Sequence, residues 1–375
     1  MKKLLFAINV DWYFDLHWKE RVLSEMTKGY EVYLCLAKTD DTFQCENCKN
    51  KFVEISRSSI GMISNLRSLL FIFKVVRDVK PDLIHSVTVK PNIFCGFLAL
   101  IFSIPIIITI PGLGTVFSSS GRKYALLRQL IVFLYKCVGK NNKSFFVFEN
   151  SSDMQQFLNC GICNKQRCSL VSGAGVDIKS FSYTPEQDIL GSPMRVLFAG
   201  RLLFGKGLED LIAAVKKLRA KGKNVRLDVA GIIDSDSREA IPLSQIEEWS
   251  RHHEINWLGQ VEDMAGLLSD VHIVALPTRY GEGLPRILLE ASACGRPVIT
   301  TDVAGCRDFV ENGKNGILVT PGAIDQLVSA IESLESVKVR ETMGKAGRRK
   351  VEKDYTSKKV IQHYSKIYSY FMTGV

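Results

Sequence analysis

Two glutamates, Glu282 and Glu290, stand eight positions apart in the segment Arg279–Gly295, RYGEGLPRILLEASACG. Gly281 and Gly283 flank the first, Pro285 follows, and a short apolar run ends at Gly295. Proline at a helix start and glycine just past a helix end predict a helix that opens at Pro285 and stops before Gly295. Glu282 then lies in the entering loop and Glu290 inside the helix, a little over two turns on. If the loop folds back over the helix start, both carboxylates border one pocket. Free N–H groups of a first helical turn favour an anion there, and the two glycines allow it close approach. A phosphate seat beside two carboxylates suits a sugar nucleotide. Spacing alone favours a surface helix with two solvated glutamates. A second phosphate signal upstream reverses that preference.

The second signal is Arg195–Leu211, RVLFAGRLLFGKGLEDL. Arg195–Ala199 is a strand candidate, broken by Gly200, with Arg201 at its end. Gly205, Lys206 and Gly207 turn into the next helix. Arg201 can clamp a diphosphate as a fork and Lys206 as a point charge. Alone, this segment also reads as an ordinary turn with exposed cations. The two segments in order, on alternating strands and helices, reinforce each other.

In these residues the chain resembles the retaining GT-B glycosyltransferases of glycosyltransferase family 4. There a Glu-x7-Glu motif and an upstream Gly-Arg…Lys-Gly motif bind the nucleotide sugar. The resemblance is densest over Arg195–Val319 and takes in Pro277, Pro297–Arg307 and Asn315–Val319. Asn9–Trp12 with His17, Gly112–Phe117 and Ser172–Asp177 resemble the branch that elongates lipid-linked sugars for surface polysaccharides. The resemblance implies an α/β protein of the GT-B type, two doubly wound Rossmann-like domains facing a central cleft. It implies Glu282, Arg201 and Lys206 as the catalytic set. Arg201 and Lys206 would neutralise the leaving diphosphate, with Gly283 and Leu284 at the helix start. Glu290 would accept hydrogen bonds from ribose, and Glu282 would lie against the donor sugar.

Two departures affect the first domain. Pro111 stands where many relatives carry a histidine, and Asn9–Asp11 replace a paired-glycine loop. The histidines left near strand ends are His17 and His85. With Lys90 and Arg122 they are the candidates to touch the acceptor. For a lone histidine a structural role is at least as common. Asp234 and Asp236 form the triplet DSD after Gly231 and read as loop residues. No obligatory metal or other cofactor is expected beyond a UDP-sugar substrate.

At 375 residues, with 46% hydrophobic and 23% charged residues, the chain has room for two cores and is not disordered in bulk. MKKLLFAINVDWYF reads as a first strand, since Asp11 interrupts its apolar run and no cleavage site follows. Ten cysteines read as reduced thiols, the Cys45/Cys48 and Cys160/Cys163 pairs included. The formal net charge is +10. No acidic residue lies between Asp82 and Glu149, an interval holding Lys90, Arg122, Lys123, Arg128, Lys136, Lys140 and Lys143. Arg122–Lys143 reads as a helix with cations at both ends and an apolar body. It packs on a sheet and also suits an anionic membrane surface. No nucleic-acid-binding motif accompanies the charge.

Strand and helix patterns alternate throughout, which implies parallel sheets covered on both faces. The expected division is 1–180 for acceptor binding, 181–354 for the nucleotide sugar and 355–375 as a helix crossing back. The linker is expected in the polar stretch Ile178–Pro193. In the first half, helices are expected over Leu16–Thr27 and Ile63–Val79, and a strand over Phe52–Ile55. The activity expected is retaining transfer of a hexose or N-acetylhexosamine to a polyprenyl-diphosphate-linked sugar. The enzyme would be cytoplasmic and peripheral at the inner membrane face. The alternative on the same fold is a UDP-N-acetylhexosamine 2-epimerase, against which the basic interval Leu83–Phe148 argues. A dehydrogenase is disfavoured because Gly112-x-Gly114 lacks a third glycine.

Overall fold

The computed structural model describes the chain except residues 38, 40–42, 44, 46–47, 53–60, 115–116, 118–120, 187–191, 235–236, 238 and 374–375. It divides into two units, Met1–Ala174 with Val360–Val375, and Gly175–Lys359. Part of the expected linker lies outside the described residues.

The first unit is built on β1 (Lys3–Ala7), β2 (Glu31–Leu36), β3 (Lys49–Phe52), β4 (Leu83–Val87), β5 (Ile106–Ile110), β6 (Ser144–Phe148) and β7 (Cys168–Leu170). The strands are all parallel, in the order β3-β2-β1-β4-β5-β6-β7. Strand β5, IIITI, is buried along its length, as a central parallel strand with both faces covered must be. The helices are α1 (Asp11–His17), α2 (Lys19–Thr27), α3 (Met62–Val79), α4 (Val89–Ile101), α5 (Arg122–Gly139) and α6 (Ser151–Asn159). Ile72 of α3, Leu98 of α4, Ile131 of α5 and Phe157 of α6 share one core on one side of the sheet. Val22 of α2, Tyr364 and Tyr368 fill the other side.

Two expectations shift. The helix expected over Leu16–Thr27 is two helices, parted at Trp18. The Trp18 ring is fully buried against Phe6, His85 and Tyr364, and its backbone leaves helical geometry there. The strand expected over Phe52–Ile55 begins earlier, at Lys49, and the remainder of that range lies outside the described residues.

The second unit contains β8 (Met194–Ala199), β9 (Val225–Ala230), β10 (Asn256–Gly259), β11 (Ile273–Leu276), β12 (Val298–Thr301) and β13 (Gly316–Val319). They are parallel, in the order β10-β9-β8-β11-β12-β13. Around them run α7 (Leu208–Ala220), α8 (Leu243–Arg251), α9 (Met264–Asp270), α10 (Arg286–Ala293), α11 (Cys306–Phe309), α12 (Ile324–Ser333) and α13 (Val337–Asp354). A last helix, α14 (Ser357–Thr373), starts in the second unit and continues in the first. Among the described residues no helix is long and apolar enough to cross a membrane.

Each sheet reverses its strand order once, at β1/β4 and at β8/β11. Parallel sheets open a crevice at the carboxyl ends of the strands at such a reversal, and ligands bind there.

Candidate active site

The β8/β11 reversal carries the charged residues singled out in the sequence. β8 ends at Ala199, and the chain passes through Arg201 to a short 3-10 turn, Phe204–Lys206, before α7. Gly207 joins the turn to α7 at φ +78°, and a Cβ there would strike the carbonyl oxygen of Pro277. Only glycine meets both demands. From the other side the loop after β11 closes on the same turn. Arg279 N–H donates to the Gly205 carbonyl at 2.8 Å, and the Tyr280 ring covers Gly205. Arg279 also forks onto Asp210, in the first turn of α7, at 2.8 and 2.5 Å.

This packing brings Lys206 to Glu282. Lys206 Nζ lies 2.5 Å from Glu282 Oε2, with the two side chains only 11% and 13% exposed. The ammonium also lies 5.6 Å from the centre of the Tyr280 ring. A charge pair so shielded from water is sensitive to loss of either member, because the survivor is left buried and unpaired. Glu282 N–H donates to the Ala304 carbonyl at 3.2 Å, which pins the loop ahead of α10.

Helix α10 begins at Arg286, with Pro285 as its N-cap, one position later than expected. It ends before Gly295, which takes φ +80°. Glu290 is buried on it and accepts from Arg286, one turn earlier, at 3.0 Å from Nε and 2.9 Å from Nη2. Burial holds the Glu290 carboxyl above its ordinary pKa, with Arg286 opposing the rise only in part. Leu284 is buried at the helix entry and Gly283 is half-buried. Arg201 donates from Nη1 to Asp234 Oδ2 at 2.7 Å.

Of the residues expected at the donor side, the structure puts Lys206 and Glu282 in contact. It gives Arg201 and Glu290 other partners on neighbouring loops and turns. Asp234 lies in a loop as the sequence predicts, and its pairing with Arg201 is not evident there. Its signal was its place after β9, beside β8. Arg286 is a second such partner, four residues before Glu290, the spacing of a helical ion pair. Asp236 lies outside the described residues.

The first unit treats its candidates differently. His85 points into the core, fully buried, with Nδ1 2.7 Å from Tyr368 Oη and Nε2 2.8 Å from Thr109 Oγ1. Burial, and the nearby Arg21 charge, push its pKa well down. The acceptor contact expected of His85 is thereby corrected: both ring nitrogens are engaged inside the unit. His17 ends α1, half-buried, with its ring 4.4 Å from that of Tyr13. Lys90 lies in the first turn of α4, where partial burial lowers its pKa. Arg122 is exposed at the start of α5. Among the described residues no cysteine forms a disulfide. Among the described residues no group of three or more His, Cys, Asp or Glu side chains is placed to hold a metal.

Two parallel-sheet Rossmann-like units, with charged side chains at the carboxyl end of the second, define a protein of the GT-B glycosyltransferase fold. Residues 183–350 match the family model described as glycosyl transferases group 1, and residues 3–143 match glycosyl transferase 4-like. The chain is 24% identical over 356 residues to the capsular polysaccharide biosynthesis glycosyltransferase CapM of Staphylococcus aureus, covering 92% of this chain and 91% of CapM. It is 26% identical over 360 residues to the N,N'-diacetylbacillosaminyl-diphospho-undecaprenol α-1,3-N-acetylgalactosaminyltransferase of Campylobacter jejuni, covering 92% of each. The fold superposes on Anabaena HepE, solved in complex with UDP and glucose, with TM-score 0.79 at 17% identity. That match covers 98% of this chain and 100% of HepE. By fold and by sequence the chain is a glycosyltransferase.

Proposed function

We propose that this glycosyltransferase moves a hexose or N-acetylhexosamine from a UDP-sugar to a polyprenyl-diphosphate-linked sugar, with retention of configuration, for surface polysaccharide assembly. The observation that carries the reading is the buried Lys206–Glu282 pair at the β8/β11 reversal, with Glu290 on the helix that follows. UDP in HepE and diphospho-undecaprenol in the name of the Campylobacter relative support the two substrate classes.

Each residue then has a task. Lys206 and Arg201 offset the charge that grows on the diphosphate as the anomeric C–O bond breaks. The backbone at Gly283 and Leu284 meets phosphate oxygens at the loop entering α10. Glu290 accepts from ribose hydroxyls and Glu282 from the donor sugar. In front-face substitution the acceptor oxygen bonds to the anomeric carbon on the side the diphosphate leaves, and its proton passes to a diphosphate oxygen. No obligatory metal is part of this reading. In the first unit, Lys90 and Arg122 are the cations for an acceptor diphosphate, with His17 nearby in sequence to the first strand.

The reading also puts the enzyme against anionic lipid at the inner face of the cell membrane. Helix α5 exposes Leu126, Leu130 and Phe133 in one row beside Arg122, Lys123 and Lys136. Helix α3 exposes a similar row, Ile63, Leu66 and Leu70, beside Arg67 and Lys74. Both helices pack on the same side of the sheet, and no acid interrupts either row. Apolar groups ringed by cations suit an anionic interface.

A donor screen with purified protein and membrane extract, reading nucleotide release and lipid-linked product together, tests the activity. A UDP-sugar consumed only with lipid acceptor is expected; consumption without it, yielding an epimer, would replace this reading with the epimerase. Acidic liposomes test the membrane part. The protein should co-sediment at low salt and release partly at high salt. Replacing Arg122, Lys123 and Arg128 by Gln should weaken sedimentation and leave donor binding intact.

A further inference from the structure

Resting on the donor seat described above, we propose that Asp234 is a positioning residue that limits how tightly the seat holds a diphosphate. It thereby sets how fast the spent nucleotide leaves. The loops after β8 and β9 are bound to each other through their backbones. Gly200 N–H donates to the Ala230 carbonyl at 3.0 Å and Leu202 N–H to the Ile232 carbonyl at 3.1 Å. A side chain on Gly231 would strike the Gly200 carbonyl. This fixed pairing of loops sets the Asp234 carboxylate opposite Arg201. Asp234 is also the more enclosed partner, 11% exposed against 38% for Arg201.

The pair has two consequences. The hydrogen bond from Nη1 engages one of the five N–H groups of the guanidinium and orients the rest of the fork. The charge of Asp234 offsets that of Arg201 and repels a diphosphate on the same guanidinium. Glu282 faces Lys206 in the same way, so each of the two cations proposed for the donor diphosphate has its own carboxylate. A seat of two bare cations would hold the product nucleoside diphosphate as firmly as the donor. A seat with fixed counter-charges lets it go.

Asp234→Asn separates the two effects, since the amide keeps an acceptor oxygen of similar size and removes the charge. Calorimetry with UDP and with inorganic pyrophosphate should show D234N binding both about three- to tenfold more tightly than the wild type. In turnover assays KM for the donor should fall, and kcat should fall with it as release slows. Asp234→Ala, which removes charge and acceptor together, should gain less than D234N. Unchanged or weaker binding in D234N overturns the proposal, as does a gain confined to UDP, which would place the effect at the nucleoside. An equal gain in D234A overturns the orienting role. If the wild type binds neither ligand, the donor seat itself is wrong, which is a different result from a wild type that binds and a D234N that does not differ.

Discussion

The two sheets reverse at equivalent places, β1/β4 and β8/β11, and different side chains gather at the two places. At β8/β11 the strand ends carry ionised side chains in pairs, Lys206 with Glu282 and Arg201 with Asp234. At β1/β4 neutral polar groups surround a buried carboxylate, Asp11, which accepts from Thr39 N–H at 2.5 Å. Asn9 Oδ1, Ser86 Oγ and Thr88 Oγ1 meet no protein partner among the described residues, and Thr88 sits at φ +73°. His85 is held uncharged in the adjacent core. Common topology supplies a crevice, and the residues following each strand decide what it accepts. One reversal carries paired charges. The other carries neutral polar groups around Asp11, with Lys90 in the first turn of α4.

The contrast breaks most readily at Lys206. Lys206→Ala should lower kcat by about 10²–10³, the usual cost of losing a group placed where charge develops, while both units stay folded. Near-normal turnover at saturating donor would move the diphosphate elsewhere. A smaller effect is expected at Glu290. Glu290→Ala should weaken donor binding by about tenfold or more, because a hydrogen bond to a charged group is worth roughly 1.5–3 kcal/mol. Unchanged affinity by calorimetry would remove Glu290 from the ribose contact.

The smallest effect sharpens the β1/β4 side. The folded-state pKa of His85 is depressed, so on acidification the unfolded chain takes up this proton before the folded one. Stability from keeping His85 neutral is therefore full above the ordinary histidine pKa of about 6.5 and falls as pH drops below it. Between pH 7.5 and 5.5 the loss should be about 1 kcal/mol. His85→Gln, less stable at both values, should lack this part of the pH slope in thermal melts. An unchanged slope would mean that His85 is not the group being protonated.

The four residues proposed for the donor side stand out in the sequence because each motif is local. Glu282, Pro285, Glu290 and Gly295 lie on one loop and one helix, and Arg201 and Lys206 flank one turn. Partnerships across the sheet were not legible. Lys206 and Glu282 are 76 positions apart, and Arg201 and Asp234 are 33 apart. Only the parallel pairing of β8 with β9 and β11 joins them. The same limit applies to His85, whose burial depends on Tyr368, 283 positions later. The break at Trp18 also follows from distant packing, since the helical pattern runs through it without a proline or glycine.

The return of α14 to the first unit also orders events during synthesis. Val360, Tyr364, Tyr368 and Met372 are buried in the core that seals one side of β1 and β4. They leave the ribosome only after the residues of the second unit. The first unit to emerge is thus the last to be complete, while the contiguous second unit has nearly all its parts beforehand. Domains tend to fold as units as they appear, and here that rule favours the second over the first. A nascent chain halted at Lys359 should resist protease in its second half and be cut in its first, around the still uncovered Trp18 and His85.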